Sequence, residues 1–421
     1  MRILFVSQYF YPENFSNNKI VSKLVERGHE VEVITGIPNY PAGKFFDGYG
    51  LFKRRKDTYN GATVRRVPIL PRGQRSLFLL ANYASFVLSA SLRCLFLRRR
   101  AFDVVFSSAP SPATIAVPAI VAAKRMGVRH AFLLQDLWPQ TPIAILKLKN
   151  RSVIRLLTAA CKQIYERVDV MVVPSRAFIP EIEAIAPGLR YFYFPNSIED
   201  FHRPQAKNPA LRGELGLGES DFVIGFAGNM GEAQNIDAII DAVKIASDPR
   251  IKILMVGDGR HRKALEARIA TLGLQSHFRF VGSVPPEDVP RYLGSADATI
   301  LTLASDAAFV GVIPFRLQTY LGCGKPILGH VSGESASIIA EAQCGLVSDP
   351  SDNAALAANL VKMASLREDE LEQFGLAARS YAVNEFSEAR IFDGIEKLLA
   401  ELAANELPPE STSVAGAHPG R

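Results

Sequence analysis

At 421 residues the chain is longer than one hydrophobic core ordinarily serves, which predicts two domains. Its 48% hydrophobic and 21% charged residues exclude disordered and collagen-like classes, and four isolated cysteines (Cys94, Cys161, Cys323, Cys344) exclude a disulfide framework or a Cys-rich zinc site. The formal charge of +6 is uneven: residues 1–200 hold 28 Lys/Arg against 14 Asp/Glu, whereas residues 201–421 hold 20 against 28.

Residues 2–7 (RILFVS) read as a buried strand, too short for a signal peptide, so a cytoplasmic location is expected. A helix over 19–27 ends at Gly28, and a second strand covers 31–35. Basic clusters follow: 53–56, Arg65 and Arg66, Arg72 and Arg75, and 98–100. Such patches suit an anionic surface or phosphorylated substrates, and without RNP, KH, zinc-finger or helix-turn-helix signatures they do not indicate nucleic acid. Between them, 76–92 is uncharged but interrupted by Asn82 and three serines. A strand at 102–107 follows so closely that a spanning helix would split the sheet. The segment near 76–97 is therefore a buried helix or one lying in a membrane interface. Helix 113–126, strand 130–134, helix 152–167 and strand 169–173 complete a parallel, doubly covered sheet, so residues 1–195 form one Rossmann-like domain.

A polar, Pro-bounded stretch at 196–205 reads as a hinge, after which the pattern restarts. Strands at 222–226, 251–256, 278–281, 298–302 and 326–329 alternate with helices at 235–246, 261–272, 314–322, 335–341 and 352–364. This gives a second Rossmann-like domain over 206–385, followed by a helix over 386–404 and a disordered tail over 405–421. Ligands of such sheets bind beyond the carboxyl ends of the strands.

Three stretches of the second domain sit there. In GFAGNMGEAQN (225–235), Gly228 and Gly231 allow backbone approach, with Asn229, Glu232 and Gln234 between and after them. VGDG (256–259) brings Asp258 and Gly259 before Arg262, and GVIPFRLQTYLGCGKP (311–326) brings Arg316, Gln318, Thr319 and Lys325. Arg316, on the first turn of its helix, is placed to meet a diphosphate. In the first domain the loop 9–18 carries Glu13, Asn14, Asn17 and Asn18, and QDLWPQ (135–140) carries Asp136 and Trp138. His29 and His130 read as structural. Walker A, HExxH, GxSxG and GxGxxG signatures are missing from the sequence, which argues against a nicotinamide dehydrogenase.

RILFVSQYFYPEN, RGHEVEVITGIPNYPAGKFFDGYG, QDLWPQ, PNSIEDF, GFAGNMGEAQN, VGDGRHRKALE, FVGSVPPEDVPRYLGSADATILTL and GCGKPILG occur in this order over nearly the whole chain. Together they resemble bacterial glycosyltransferases of family 4, close to the amino-sugar (L-fucosamine type) branch of O-antigen, capsule and colanic-acid synthesis. The resemblance implies a GT-B fold, α/β, with two Rossmann-like domains facing across a cleft and a last helix packing back towards the first. It implies retaining transfer from a nucleotide-sugar, with UDP-sugar expected, and no required cofactor or metal. The N-terminal domain would bind a lipid-linked saccharide acceptor, a polyprenyl diphosphate, at the inner face of the plasma membrane. Donor contacts would then come from the second-domain residues above together with Ser283 and Val284. Asp136 and Arg316 would be catalytic, and Glu13, Asn14, Asn17, Asn18 and Trp138 would meet the acceptor. The sequence departs from the family where an Arg and a Lys usually hold the diphosphate, since Asn229 and Gln234 stand there. The family's paired glutamates likewise fall on Gly311 and Thr319. A nucleotide-sugar 2-epimerase and a non-catalytic nucleotide-sugar scaffold are the alternatives.

Overall fold

A computed structural model describes residues 1–73, 76–305 and 311–408. The chain divides into two compact units, Met1–Phe194 with residues from Phe392 onward, and Pro195–Ile391.

The first unit is built on an eight-stranded sheet: β1 (Arg2–Val6), β2 (Glu30–Thr35), β3 (Lys56–Tyr59), β4 (Ala62–Arg66), β5 (Val104–Ala109), β6 (His130–Leu134), β7 (Val170–Val173) and β8 (Tyr191–Tyr193). Their spatial order is β3-β4-β2-β1-β5-β6-β7-β8, parallel throughout except for the β3–β4 hairpin. That hairpin, absent from the sequence reading, turns at Asn60-Gly61, both with positive φ (45° and 88°), the pair that a two-residue hairpin favours. β5 and β6 are buried along their whole length, as strands covered on both faces must be. The order reverses between β1 and β5, and the loops after those strands are where a sheet of this kind binds ligands.

The helix Ser76–Leu95 lies on this unit with Asn82, Phe86, Ala90 and Cys94 buried at four-residue spacing. The opposite line, at 80, 84, 88 and 92, faces outward. It is the one helix among the described residues long and apolar enough to cross a membrane, yet its inner line belongs to the unit's own core. The C-terminal helix Glu388–Ala403 also belongs largely here: Arg27 pairs with Asp393 (2.7 Å) and Glu396 (2.6 Å), and Phe194 meets Phe392 edge-on. Asn405 accepts a bond from Arg129 (2.7 Å), so the expected tail is tied down at its start; residues 409–421 lie outside the described residues.

The second unit holds β9 (Phe222–Ala227), β10 (Ile251–Val256), β11 (Phe278–Gly282), β12 (Ala298–Thr302), β13 (Ile327–His330) and β14 (Gly345–Ser348), in the order β11-β10-β9-β12-β13-β14, all parallel. Its reversal point lies between β9 and β12. The stretch 196–205, read as a hinge, is bonded into this unit. The Asn196 carbonyl accepts from Gln318, the Ile198 N–H donates to Phe386 (2.8 Å), and Arg379 donates to the His202 carbonyl (2.8 Å). The helix Glu368–Phe386 was likewise missed; its polar, acidic first turn hides a buried line of Gly375, Ala378, Ala382 and Phe386.

Candidate active site

In the second unit the turns leaving β9 and β10 are laced by backbone bonds: Gly228 N–H to Val256 (2.9 Å), Met230 N–H to Asp258 (2.8 Å) and His261 N–H to Met230 (3.0 Å). Contact this close demands glycine. A Cβ on Gly257 would lie 2.1 Å from the Gly228 carbonyl oxygen, and Gly257 adopts φ 128°. Gly259 is similarly pressed on Met230, so its part is to bring the turns together.

Beside these turns is a cavity of about 450 Å³. Of the residues expected at a donor site, Gly228, Asn229, Asp258, Ser283, Val284, Arg316 and Thr319 line it. His202, Gly257, Pro286, Val289 and Phe315, which the sequence reading did not single out, complete much of its wall. A neighbouring cavity of about 460 Å³ is lined by Asn229, Gly231, Glu232, Gln234, Arg260 and His261. Gln234 adds a buried side-chain oxygen with no hydrogen-bond partner.

Arg316 is the charged group of the first cavity that the fold leaves uncompensated. Its guanidinium carbon stands 4.6 Å from the Phe226 ring centroid, its aliphatic stem lies against Gly228, and Tyr320 is its polar neighbour. The Tyr320 hydroxyl is itself fixed by the Ala227 N–H (2.9 Å). Nη1 of Arg316 is buried without a hydrogen-bond partner, and among the described residues no carboxylate pairs with it. Burial lowers its pKa from the ordinary value, but arginine remains charged. A half-buried cation with one guanidinium nitrogen left without a partner is poised for an anion.

Three expected donor residues are elsewhere. Lys325 donates to the carbonyls of Gly294 (3.1 Å) and Ala296 (2.7 Å), and burial pushes its pKa down to about 8. Gln318 is fully buried on the Asn196 carbonyl. Arg262 pairs with Glu266 (2.8 Å) and stacks on Phe280. Each has found its partner inside the fold, so none faces the cavities.

In the first unit, Glu13 is buried and its Oε1 accepts the N–H groups of Asn39 and Tyr40 (both 2.7 Å). Burial raises its pKa to about 7, the backbone donors opposing that rise. Asn17 and Asn18, expected to meet an acceptor, instead hold their own loop. Asn17 donates to Ser7 (2.8 Å) and to the Tyr9 carbonyl (3.0 Å), and Asn18 donates to the Glu13 carbonyl (2.7 Å). Asn14 is exposed. Trp138 packs against the core, its carbonyl accepting the Tyr165 hydroxyl (2.6 Å) while its Nε1 is buried without a partner. Asp136 is half-buried, and burial pushes its pKa up to about 6.

Around these carboxyls stand groups the sequence reading passed over. Arg72 lies over the Tyr40 ring (5.1 Å) and reaches the Tyr9 hydroxyl (3.4 Å), with Tyr83 nearby. The loops after β1, β2, β5 and β6 thus bring Glu13, Tyr40, Ser111 and Asp136 to one end of the sheet. His130 is structural, as read: it is buried, bonded to Ser107 (2.7 Å) and pushed down to about 3 by desolvation. Among the described residues there is no cluster of three or more His, Cys, Asp or Glu fit to hold a metal ion.

Residues 207–381 match the family model "Glycosyl transferases group 1", and residues 17–196 match "Glycosyl transferase 4-like domain". The chain is 27% identical over 337 residues to the putative colanic acid biosynthesis glycosyl transferase WcaI of Escherichia coli K12, covering 77% of this chain and 82% of that one. It is 26% identical over 345 residues to the probable glycosyltransferase WbjE of Pseudomonas aeruginosa, covering 79% and 80%. The solved structure of Anabaena Alr3699/HepE in complex with UDP is similar with a TM-score of 0.65, at 18% identity, over 95% of this chain and all of that one, a likeness of fold. The chain belongs to the group 1 glycosyltransferases and has the GT-B fold.

Proposed function

We propose that this protein is a retaining glycosyltransferase of bacterial surface-polysaccharide synthesis. It would move an N-acetylated or deoxy amino sugar from a UDP-sugar to a polyprenyl-diphosphate-linked acceptor at the inner face of the plasma membrane. The name of WcaI supports the pathway class, that of WbjE the glycosyltransferase activity, and the UDP in the HepE structure the donor class. The observation that carries the reading is Arg316, a cation with no carboxylate partner among the described residues, lining a cavity beside the turns after β9 and β10. A leaving diphosphate develops negative charge as the glycosidic bond breaks. A preorganised cation in a site that excludes water stabilises that charge more in the transition state than in the ground state. Asn229 and Gln234 are neutral, so the leaving diphosphate is assigned to Arg316. Acceptor orientation falls to Asp136 and Glu13, with deprotonation by the leaving phosphate.

The test is release of the matching nucleoside diphosphate from a panel of UDP-, GDP- and TDP-sugars by purified protein supplied with a polyprenyl-diphosphate-linked saccharide. Selective turnover of one UDP-amino sugar, abolished in Arg316→Met, is the expected result. Turnover that survives Arg316→Met overturns the role of Arg316. The neutral Asn229 and Gln234 favour one other reading, a non-catalytic nucleotide-sugar scaffold, and turnover of any donor excludes it.

A further inference from the structure

The loop that follows β2 ends in LFKRRK (51–56), a sequence the site does not use. Phe52 is 97% exposed, and Leu51 beside it is also exposed. A phenyl ring held almost wholly in water is costly unless something covers it. Arg55 ties this loop to the sheet, donating to the carbonyls of Leu51 (2.8 Å) and Arg66. Glu32 of β2 pairs with Arg65 (2.7 Å) and reaches Arg93 (3.7 Å) on the helix Ser76–Leu95. Leu70, also exposed, is bonded to the middle of that helix through Ser85 (2.9 Å) and Asn82 (2.6 Å). Loop, Leu70 and helix therefore adjoin one another on the first unit. The helix's outer line adds Leu80, Leu88 (71% exposed) and Leu92.

Charge identifies what covers this surface. Residues 58–102 contain eight arginines and no acidic residue. Lys53, Arg54, Arg98, Arg99 and Arg100 are exposed, with Arg54 paired to Asp57 (3.4 Å). A second copy of the same face would bring like charges together, whereas an anionic lipid surface offers both the apolar phase and the counter-charge. We infer that the 51–56 loop and the outer line of the 76–95 helix form a two-part anchor on anionic bilayers, with Phe52 entering the acyl boundary. The inner line of the helix stays in the protein core, so the helix lies on the bilayer and does not cross it. The inference deepens the membrane placement proposed above and rests on it only for the choice of leaflet.

The test is co-sedimentation of the full chain with phosphatidylcholine vesicles, with and without phosphatidylglycerol, at low and high salt. The expected result is binding to the anionic vesicles that weakens with salt. Phe52→Asp and Leu88→Asp should each weaken it at least tenfold, with melting temperature and vesicle-free UDP-sugar turnover unchanged. Equal binding by wild type and both variants overturns the anchor, as does no binding by wild type. A concentration-dependent dimer that Leu88→Asp dissolves, without vesicles, assigns the face to a second copy and also overturns it. Loss of sugar turnover alone bears on the proposed function and leaves the anchor standing.

Discussion

Glu13 is buried and Arg316 half-buried, and neither has an ion-pair partner among the described residues. Their chemistry differs in consequence. Arg316→Met should lower donor turnover at least a hundredfold, read as UDP release. Arg316→Lys should recover little, because a point charge reproduces neither the stacking on Phe226 nor the planar fork. For Glu13 the folded state holds its proton more tightly than the unfolded chain does, with a pKa of about 7 against 4.5. The associated stability is present below pH 4.5 and is lost as pH rises through 7, on the order of 3 kcal/mol. Urea unfolding at pH 5 and pH 8 should show that loss in wild type and a smaller one in Glu13→Gln. His130 has the opposite sign: its folded pKa of about 3 lies below the ordinary 6.5, so stability is lost as pH falls through that interval. Of the site, Gly228 and Asp258 were legible in the sequence because each stands just past a strand end, and Arg316 because it opens a helix after Pro314. His202 and Phe315 were not, since nothing local marks His202 in a polar stretch as packed against Gly322. Lys325 misled for the converse reason: its charge suggested a ligand, and the fold supplied two carbonyls instead.

Among the elements, the helix Ser76–Leu95 separates core from surface most sharply. Phe86 is fully buried and Leu88, two residues on, is exposed. Phe86→Ala should cost about 3–5 kcal/mol in the first unit, and Leu88→Ala within about 0.5 kcal/mol, by denaturant unfolding. An outcome in which both cost the same would mean the helix buries both faces. Sequence pattern found this helix but not its orientation, because apolar residues occupy both lines and periodicity has little contrast to detect. The long parallel strands were legible as β-branched runs. β8 and β14, three and four residues long at sheet edges, give too short a run to read. The β3–β4 hairpin carried a readable signal in Asn60-Gly61, which the surrounding arginines obscured.

Across the whole molecule, the two units should respond unequally to ligand. A UDP-sugar at 100 times its Kd adds about 2.7 kcal/mol to whatever binds it. Calorimetry should therefore show the transition of residues 195–391 moving upward, with that of the first unit little changed. A shift of the first transition alone would place nucleotide binding in the wrong unit. The duplicated strand–helix alternation made both units legible, but only the family resemblance suggested that the last helix returns to the first. That return has a consequence for synthesis. Residues 1–194 leave the ribosome first, yet Phe392 and its helix, which clasp Arg27 and Phe194, arrive only after the entire second unit has been made. At the usual ~5–20 residues per second the delay is about 10–40 s. The unit born first is thus the one completed last, and it waits with an open seam while its younger neighbour can already fold.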